Sequence, residues 1–164
     1  MATLLERDAN LAALGEHLAA ARAGDGRLVL VGGEAGVGKT ALVRRFAEDT
    51  DARVLWAACD GLFTPQPLAP LNDLGVSADG PRRDVFAGTL EALTSDPALV
   101  VIEDVHWADE ATLDLLRYLA RRLDRTGTLL VATYRDDEIG TSHPLRLLLG
   151  EVGSDRRISL KPLT

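Results

Sequence analysis

Short apolar runs alternate along this chain with stretches whose apolar residues recur at helical spacing. Leu11, Leu14 and Leu18 fall at intervals of three and four within an Ala/Leu-rich stretch, which predicts a helix from Asp8 to Ala23. Gly24-Asp25-Gly26 ends it. Leu28-Val29-Leu30-Val31 reads as a strand buried on both faces. Glycines follow, and Leu42, Val43 and Phe46 mark a helix from Lys39 to about Glu48. Arg53 to Ala58 reads as a second strand. Four prolines, Pro65, Pro67, Pro70 and Pro81, then make Asp60 to Pro81 a long irregular excursion. Val85, Phe86, Thr89, Leu90 and Leu93 line one side of a helix from Arg82 to Leu93, and Ala98 to Ile102 is the third strand. Leu113, Leu116, Ala120 and Leu123 mark a helix from Asp109 to Leu123. Thr128 to Thr133 is the fourth strand, Pro144 to Leu149 a short helix, and Arg157 to Leu160 the fifth strand.

Strands alternating with helices imply an α/β fold with a mainly parallel sheet covered on both faces. At 164 residues the expectation is one domain, 1–164, with no second one. Hydrophobic residues at 46% and charged residues at 26% exclude a disordered chain. Aromatic residues at 4% leave the core to Leu, Val, Ile and Ala. A net charge of −7 speaks against a general nucleic-acid or anionic-membrane binder, so neither partner is expected. The single cysteine, Cys59, excludes an intrachain disulfide framework and reads as a small buried residue. No apolar run approaches the roughly 18–20 residues that span a bilayer, and the first residues lack a basic n-region and an apolar h-region. A cytoplasmic setting is the expectation.

The chemistry begins at Gly33-Glu34-Ala35-Gly36-Val37-Gly38-Lys39-Thr40, which matches G-x-x-x-x-G-K-[ST] at every fixed position. Glycines let the backbone curl so that several N–H groups converge on phosphate oxygens. Lys39 can reach the β- and γ-phosphates, and the Thr40 hydroxyl can ligate Mg²⁺. The helix that starts near Lys39 turns its positive dipole end toward the same place. The phosphate-binding stretch therefore takes in Gly33, Glu34, Ala35, Gly36, Val37, Gly38, Lys39, Thr40 and Ala41. A ligand-free glycine turn would explain the same residues, but a chance match in a chain this long is of order 1%.

The apolar run Leu99-Val100-Val101-Ile102 ends in Glu103-Asp104. Acids at the carboxyl end of a buried parallel strand lie beside the phosphate loop, where open α/β sheets bind ligands. One acid can hold Mg²⁺ and its neighbour can polarise a water for attack on the γ-phosphate. Two adjacent acids favour a hydrolase over a small-molecule kinase, which must keep water out. The plainer alternative is that strand ends carry acids because they meet solvent. Arg135, after the fourth strand, can sense the γ-phosphate, or can be a surface residue paired with Asp136 or Asp137. In His106-Trp107-Ala108-Asp109, a metal pair would need a third ligand, and none is evident. Asp109 reads as the cap of the following helix and Trp107 as a packing residue; His106 reads as structural, with a contact to the site as the lesser alternative.

Together these residues resemble the P-loop ATPase domain of the STAND class, signal-transduction ATPases with numerous domains related to AAA+ proteins. The ATPase module of large LuxR-type ATP-binding transcriptional regulators is especially similar. The resemblance rests on Val31 to Thr40 (Walker A), Val101-Ile102-Glu103-Asp104-Val105-His106-Trp107-Ala108-Asp109 (Walker B and its continuation) and Ala132-Thr133-Tyr134-Arg135. It implies a three-layer α/β/α sandwich with a five-stranded sheet and an extra strand between the phosphate-loop strand and the second one. It implies ATP and Mg²⁺ as cofactors, Mg²⁺ support by Glu103 with Thr40, catalysis by Asp104, and γ-phosphate sensing by Arg135. Other domains or subunits of a regulator are the implied partners, beside ATP and ADP. The family opens with an apolar pair and Gly-Arg-Glu near the adenine pocket; Leu4-Leu5-Glu6-Arg7-Asp8 stands there with Glu6 for the glycine, so weak base discrimination is expected. The family's helical lid would begin at Lys161-Pro162-Leu163-Thr164, so the chain reads as an ATPase core without a lid and hydrolysis is expected to be slow.

The reading is thus an ATP-binding, Mg²⁺-dependent NTPase core acting as a nucleotide switch in signalling or transcriptional regulation. Two alternatives stay open here: a nucleotide-binding interaction module without significant hydrolysis, and a small P-loop kinase. The absence of arginine from Asp60 to Pro81 weighs against the kinase, which would need an arginine-rich lid.

Overall fold

The computed structural model describes residues 2–61 and 66–162, with the side chains of residues 2–5 excepted. Five strands, β1 (Arg27–Gly33), β2 (Arg53–Ala58), β3 (Ala98–Glu103), β4 (Leu129–Arg135) and β5 (Arg157–Ser159), form one sheet. Every pairing is parallel, and the spatial order is β2-β3-β4-β1-β5. The helices are α1 (Ala2–Arg22), α2 (Lys39–Glu48), α3 (Pro70–Asp73), α4 (Arg82–Thr94), α5 (Glu110–Arg122) and α6 (Leu145–Glu151).

Alternate residues of the central strands feed two separate cores. Val29, Val31, Leu99, Val101, Leu129 and Val131 face Leu14 and Leu18 of α1 and Leu42, Val43 and Phe46 of α2. Leu28, Leu30, Val100, Ile102, Leu130 and Ala132 face α4, α5 and α6 through Phe86, Leu93, Leu116, Leu119, Leu145 and Leu148. A sheet apolar on both faces must be covered on both, which is why these strands read as unbroken apolar runs. The result is the expected α/β/α sandwich. Among the described residues, no helix is long and apolar enough to cross a membrane.

Several boundaries differ from the sequence expectation. Two strands, β3 and β4, separate β1 from β2, rather than a single inserted one. Strand β4 lies against β1 over seven register pairs, from Arg27↔Leu129 to Gly33↔Arg135. Gly33, Glu103 and Arg135 therefore belong to strands and do not follow them, because the ladder continues past the last large apolar residue. Helix α1 starts at Ala2, six residues before the expected Asp8, since nothing upstream of the leucine spacing breaks a helix. The proline-rich excursion contains one helical turn, α3, with Pro70 at its start, where a missing N–H does no harm. The expected excursion also spans residues 62–65, which lie outside the described residues.

Asp109 caps α5 as expected: its carboxylate accepts from the Thr112 N–H at 3.1 Å and the Thr112 hydroxyl at 2.5 Å. It also accepts from the Leu68 N–H at 3.3 Å, tying the excursion to the helix. Asp109→Ala is expected to lower stability by about 1–2 kcal/mol, read by urea denaturation. An unchanged midpoint would show that the cap contributes nothing.

Candidate functional site

The carboxyl ends of β1, β3 and β4 bring together residues that are far apart in sequence. Strand β1 ends at Gly33, where the backbone is crowded: a Cβ there would stand 2.7 Å from Val37 Cγ1 and 3.0 Å from the Leu160 carbonyl. The loop closes at Gly38, whose φ of 107° lies in the left-handed region that a side chain would strain. Helix α2 starts at the next residue with its first N–H groups free of intrahelical partners. Glu34, Ala35, Gly36, Thr40 and Ala41 are exposed along this turn, Gly38 is half-buried, and Val37 packs into the core.

Lys39 is buried, at 7% exposure. Its ammonium donates to the carbonyls of Gly33 at 2.8 Å and Glu34 at 2.9 Å. Burial pulls its pKa below the ordinary lysine value, the Asp104 carboxylate pulls it partly back, and the Arg135 guanidinium adds to the lowering. The lysine is thus a desolvated cation folded onto the loop's own carbonyls.

Glu103 closes β3 and has both carboxylate oxygens engaged. Oε1 accepts from the Thr40 hydroxyl at 2.5 Å, and Oε2 accepts from the Trp56 indole N–H at 3.0 Å. Thr40 and Glu103 together offer two hard oxygen donors of the kind Mg²⁺ takes, with room for the phosphate and water oxygens it prefers to keep. Among the described residues, no group of three His, Cys, Asp or Glu could hold a metal ion.

Beyond Glu103 the backbone leaves the ladder. The β3–β4 pairing ends at Ile102↔Ala132, and Asp104 turns into the left-handed region at φ 60°. Two side chains replace the missing ladder bonds. The Asp104 N–H donates to the Thr133 hydroxyl oxygen at 3.0 Å, and the Arg135 N–H donates to His106 Nδ1 at 3.1 Å. Thr133 and His106 are both buried. Because Nδ1 accepts, the proton of the neutral His106 ring sits on Nε2, which is buried without a partner among the described residues. Burial lowers the pKa of His106, Asp104 partly opposes this, and Arg135 adds to the lowering. Its carbonyl lies 3.2 Å from His143 Nε2. His106, read from sequence chiefly as structural, is therefore joined directly to the Arg135 backbone.

Thr133→Val keeps the shape of the side chain and removes the acceptor. It is expected to lower stability by about 1–2 kcal/mol, while Thr133→Ser stays near the parent. Equal denaturation midpoints for the two variants would contradict the assignment.

The remaining expectations fall on both sides. Arg135 is partly exposed and lies 3.6 Å from Glu138, rather than pairing with Asp136 or Asp137; opposite Gly33 in register, it borders the phosphate loop. Trp107 is 42% exposed, with its ring lying over Gly61, where a Cβ would stand 2.4 Å from it, so it packs less than expected. Cys59 is buried, and burial pushes its thiol up to about 12, which makes it inert. Of the opening segment, the side chains of Leu4 and Leu5 lie outside the described residues, as do Leu163 and Thr164. Arg7 reaches from α1 to donate to the Val37 carbonyl at 2.8 Å and the Lys161 carbonyl at 3.3 Å. Beside it, a cavity of about 240 Å³ is lined by Arg7, Leu11, Val37, Ala41, Leu42 and Arg45. Trp56 and Thr133 are the site neighbours that sequence reasoning missed. Both reach the site only through strand pairing.

Comparison with known proteins bears on the family and the fold. The AAA ATPase domain family matches residues 3–132. An uncharacterized protein of Rhizobium meliloti (strain 1021) is 28% identical and aligns with 96% of this chain but only 21% of its own length. The chain therefore spans about a fifth of that relative. Among solved structures, Caenorhabditis elegans PCH-2 superimposes with a TM-score of 0.58 at 14% identity, covering 96% of this chain and 43% of that one. A signal transduction ATPase with numerous domains from Pyrococcus horikoshii, which carries a tetratricopeptide repeat sensor, gives 0.56 at 20% identity, covering 92% and 23%. At such identities the two structures show the shared fold alone, a P-loop NTPase sheet, and the family match over most of the sequence shows the family: this chain belongs to the AAA ATPase domain family.

Proposed function

We propose that this chain is an ATP-binding, Mg²⁺-dependent NTPase core whose nucleotide state is read by other domains or subunits. The observation that carries the reading is the contact between Thr40 and Glu103, made beside a buried Lys39 and one residue from Asp104. In this reading the loop from Gly33 to Ala41 wraps the phosphates. The Lys39 ammonium leaves two backbone carbonyls for β- and γ-phosphate oxygens. Thr40 and Glu103 would hold Mg²⁺, which would supply positive charge to neutralise the phosphates. Asp104 takes a proton from the attacking water, and Arg135 lies where γ-phosphate charge would draw its guanidinium away from Glu138. The cavity between Arg7 and Arg45 has the apolar lining that suits a base.

The same geometry supports a switch role. Arg135 and Asp104 are tied by His106 and Thr133 to one turn, so a charge placed between them acts on β4 and on the acid turn together. Steady-state phosphate release with ATP tests the enzymatic part. Mg²⁺-dependent release is expected. Tight binding with no release above background would favour the non-hydrolysing module instead.

A further inference from the structure

Trp56 stands on the edge strand β2, outside both sequence motifs, yet it makes the second bond to the acid that ends β3. Glutamate carries one more methylene than aspartate, so a single bond to Thr40 leaves its carboxylate free to swing about the extra torsion. The indole N–H removes that freedom by holding Oε2 at 3.0 Å while Oε1 stays on Thr40 at 2.5 Å. The register explains the reach. Trp56 pairs with Val101, and Glu103 lies two residues further along the same face, at a diagonal distance that a long aromatic side chain can cover. Trp56 is itself half-buried against the core formed by α1 and α2, and it has only two side-chain torsions. An indole N–H donates and cannot ligate a cation, so it occupies one oxygen without competing for metal.

We propose that Trp56 is a positioning residue: it clamps the outer oxygen of Glu103 so that the inner one remains on Thr40, where the two would share Mg²⁺. The proposal rests on the nucleotide reading above. It also explains how this chain uses a glutamate at the metal position without loosening the site.

The test is a double-mutant cycle read by Mg²⁺ titration. Trp56→Phe is expected to raise the Mg²⁺ concentration for half-maximal ATP binding about tenfold, the scale of a lost hydrogen bond to a charged group. ATP affinity in EDTA should stay unchanged. In a Glu103→Asp background the shortened acid no longer reaches the indole, so Trp56→Phe should have no further effect. A benzothienylalanine at position 56, which keeps the shape and lacks the N–H, should reproduce the phenylalanine result even if the smaller ring loosens the core. A merely structural tryptophan would instead weaken binding equally with and without Mg²⁺. The contact itself has a readout without nucleotide: the indole N–H resonance that Trp56→Phe removes should shift in Glu103→Ala. A stationary resonance, or a penalty that persists in the Glu103→Asp background, overturns the proposal. A parent with Mg²⁺-dependent ATP binding that Trp56→Phe leaves untouched overturns this role alone. A parent with no Mg²⁺ effect overturns the nucleotide reading and this role with it.

Discussion

Lys39→Met is expected to weaken ATP binding about 100-fold or more while leaving the folded chain no less stable than the parent. The two halves of this result have one cause. The ammonium is buried and, among the described residues, bonds two carbonyls, and burial holds its pKa below that of an exposed lysine. A lysine whose folded pKa is depressed binds its proton less firmly folded than unfolded, so at neutral pH its charge opposes folding. That opposition fades only as pH rises from the folded value to the unfolded one. Methionine removes the charge and keeps the apolar stem. Phosphate oxygens, in contrast, lose the one ammonium poised inside the loop, and truncating one partner of a close desolvated charge pair costs about 2–5 kcal/mol. Thermal unfolding and ATP titration of the same sample check both halves. A marked fall in melting temperature would mean that the lysine holds the loop together. Unchanged ATP affinity would mean that the phosphates lie elsewhere.

Asp104→Asn is the second large effect expected, and it falls on turnover. The amide keeps the size of the side chain and its tolerance for the left-handed backbone at φ 60°, so the turn and its bond to Thr133 should survive. It cannot accept a proton from water, and loss of a general base typically lowers turnover by about 100-fold to 10,000-fold. ATP affinity should stay within about twofold, because Lys39, Thr40 and Glu103 are untouched. Single-turnover hydrolysis beside equilibrium binding separates the two quantities. If Glu103→Gln abolished turnover and Asp104→Asn only altered the Mg²⁺ requirement, the roles within the pair would have to be exchanged.

The phosphate loop and the acid pair were legible in the sequence because each is local. The residues lie within eight positions of one another, and their chemistry depends on the backbone between them. The helices over Lys39–Glu48 and Arg82–Thr94 and the strand over Arg53–Ala58 were legible for a similar reason, since their apolar spacing is continuous. What could not be read was whatever depends on which strands are neighbours. Trp56 meets Glu103 across 47 positions, and Thr133 meets Asp104 across 29. Neither pair has a spacing signal, because the order β2-β3-β4-β1-β5 creates the contact. That the His106 ring accepts from the Arg135 N–H was equally illegible. Only the early end of the β3–β4 ladder at Ile102↔Ala132 shows that a backbone N–H there needed a side-chain acceptor. Arg7 was visible as part of the opening segment, but its bonds to Val37 and Lys161 depend on how α1 crosses the loop.

The central claim is that Thr40, Glu103 and Lys39 form one Mg²⁺-dependent triphosphate site. Calorimetric titration of the chain with ATP, in Mg²⁺ and in EDTA, tests it most directly. The expected result is one ATP per chain, bound more tightly in Mg²⁺ than in EDTA, with most of that difference lost in Glu103→Gln. Binding that ignored Mg²⁺, or no measurable binding of ATP in either condition, would contradict the claim.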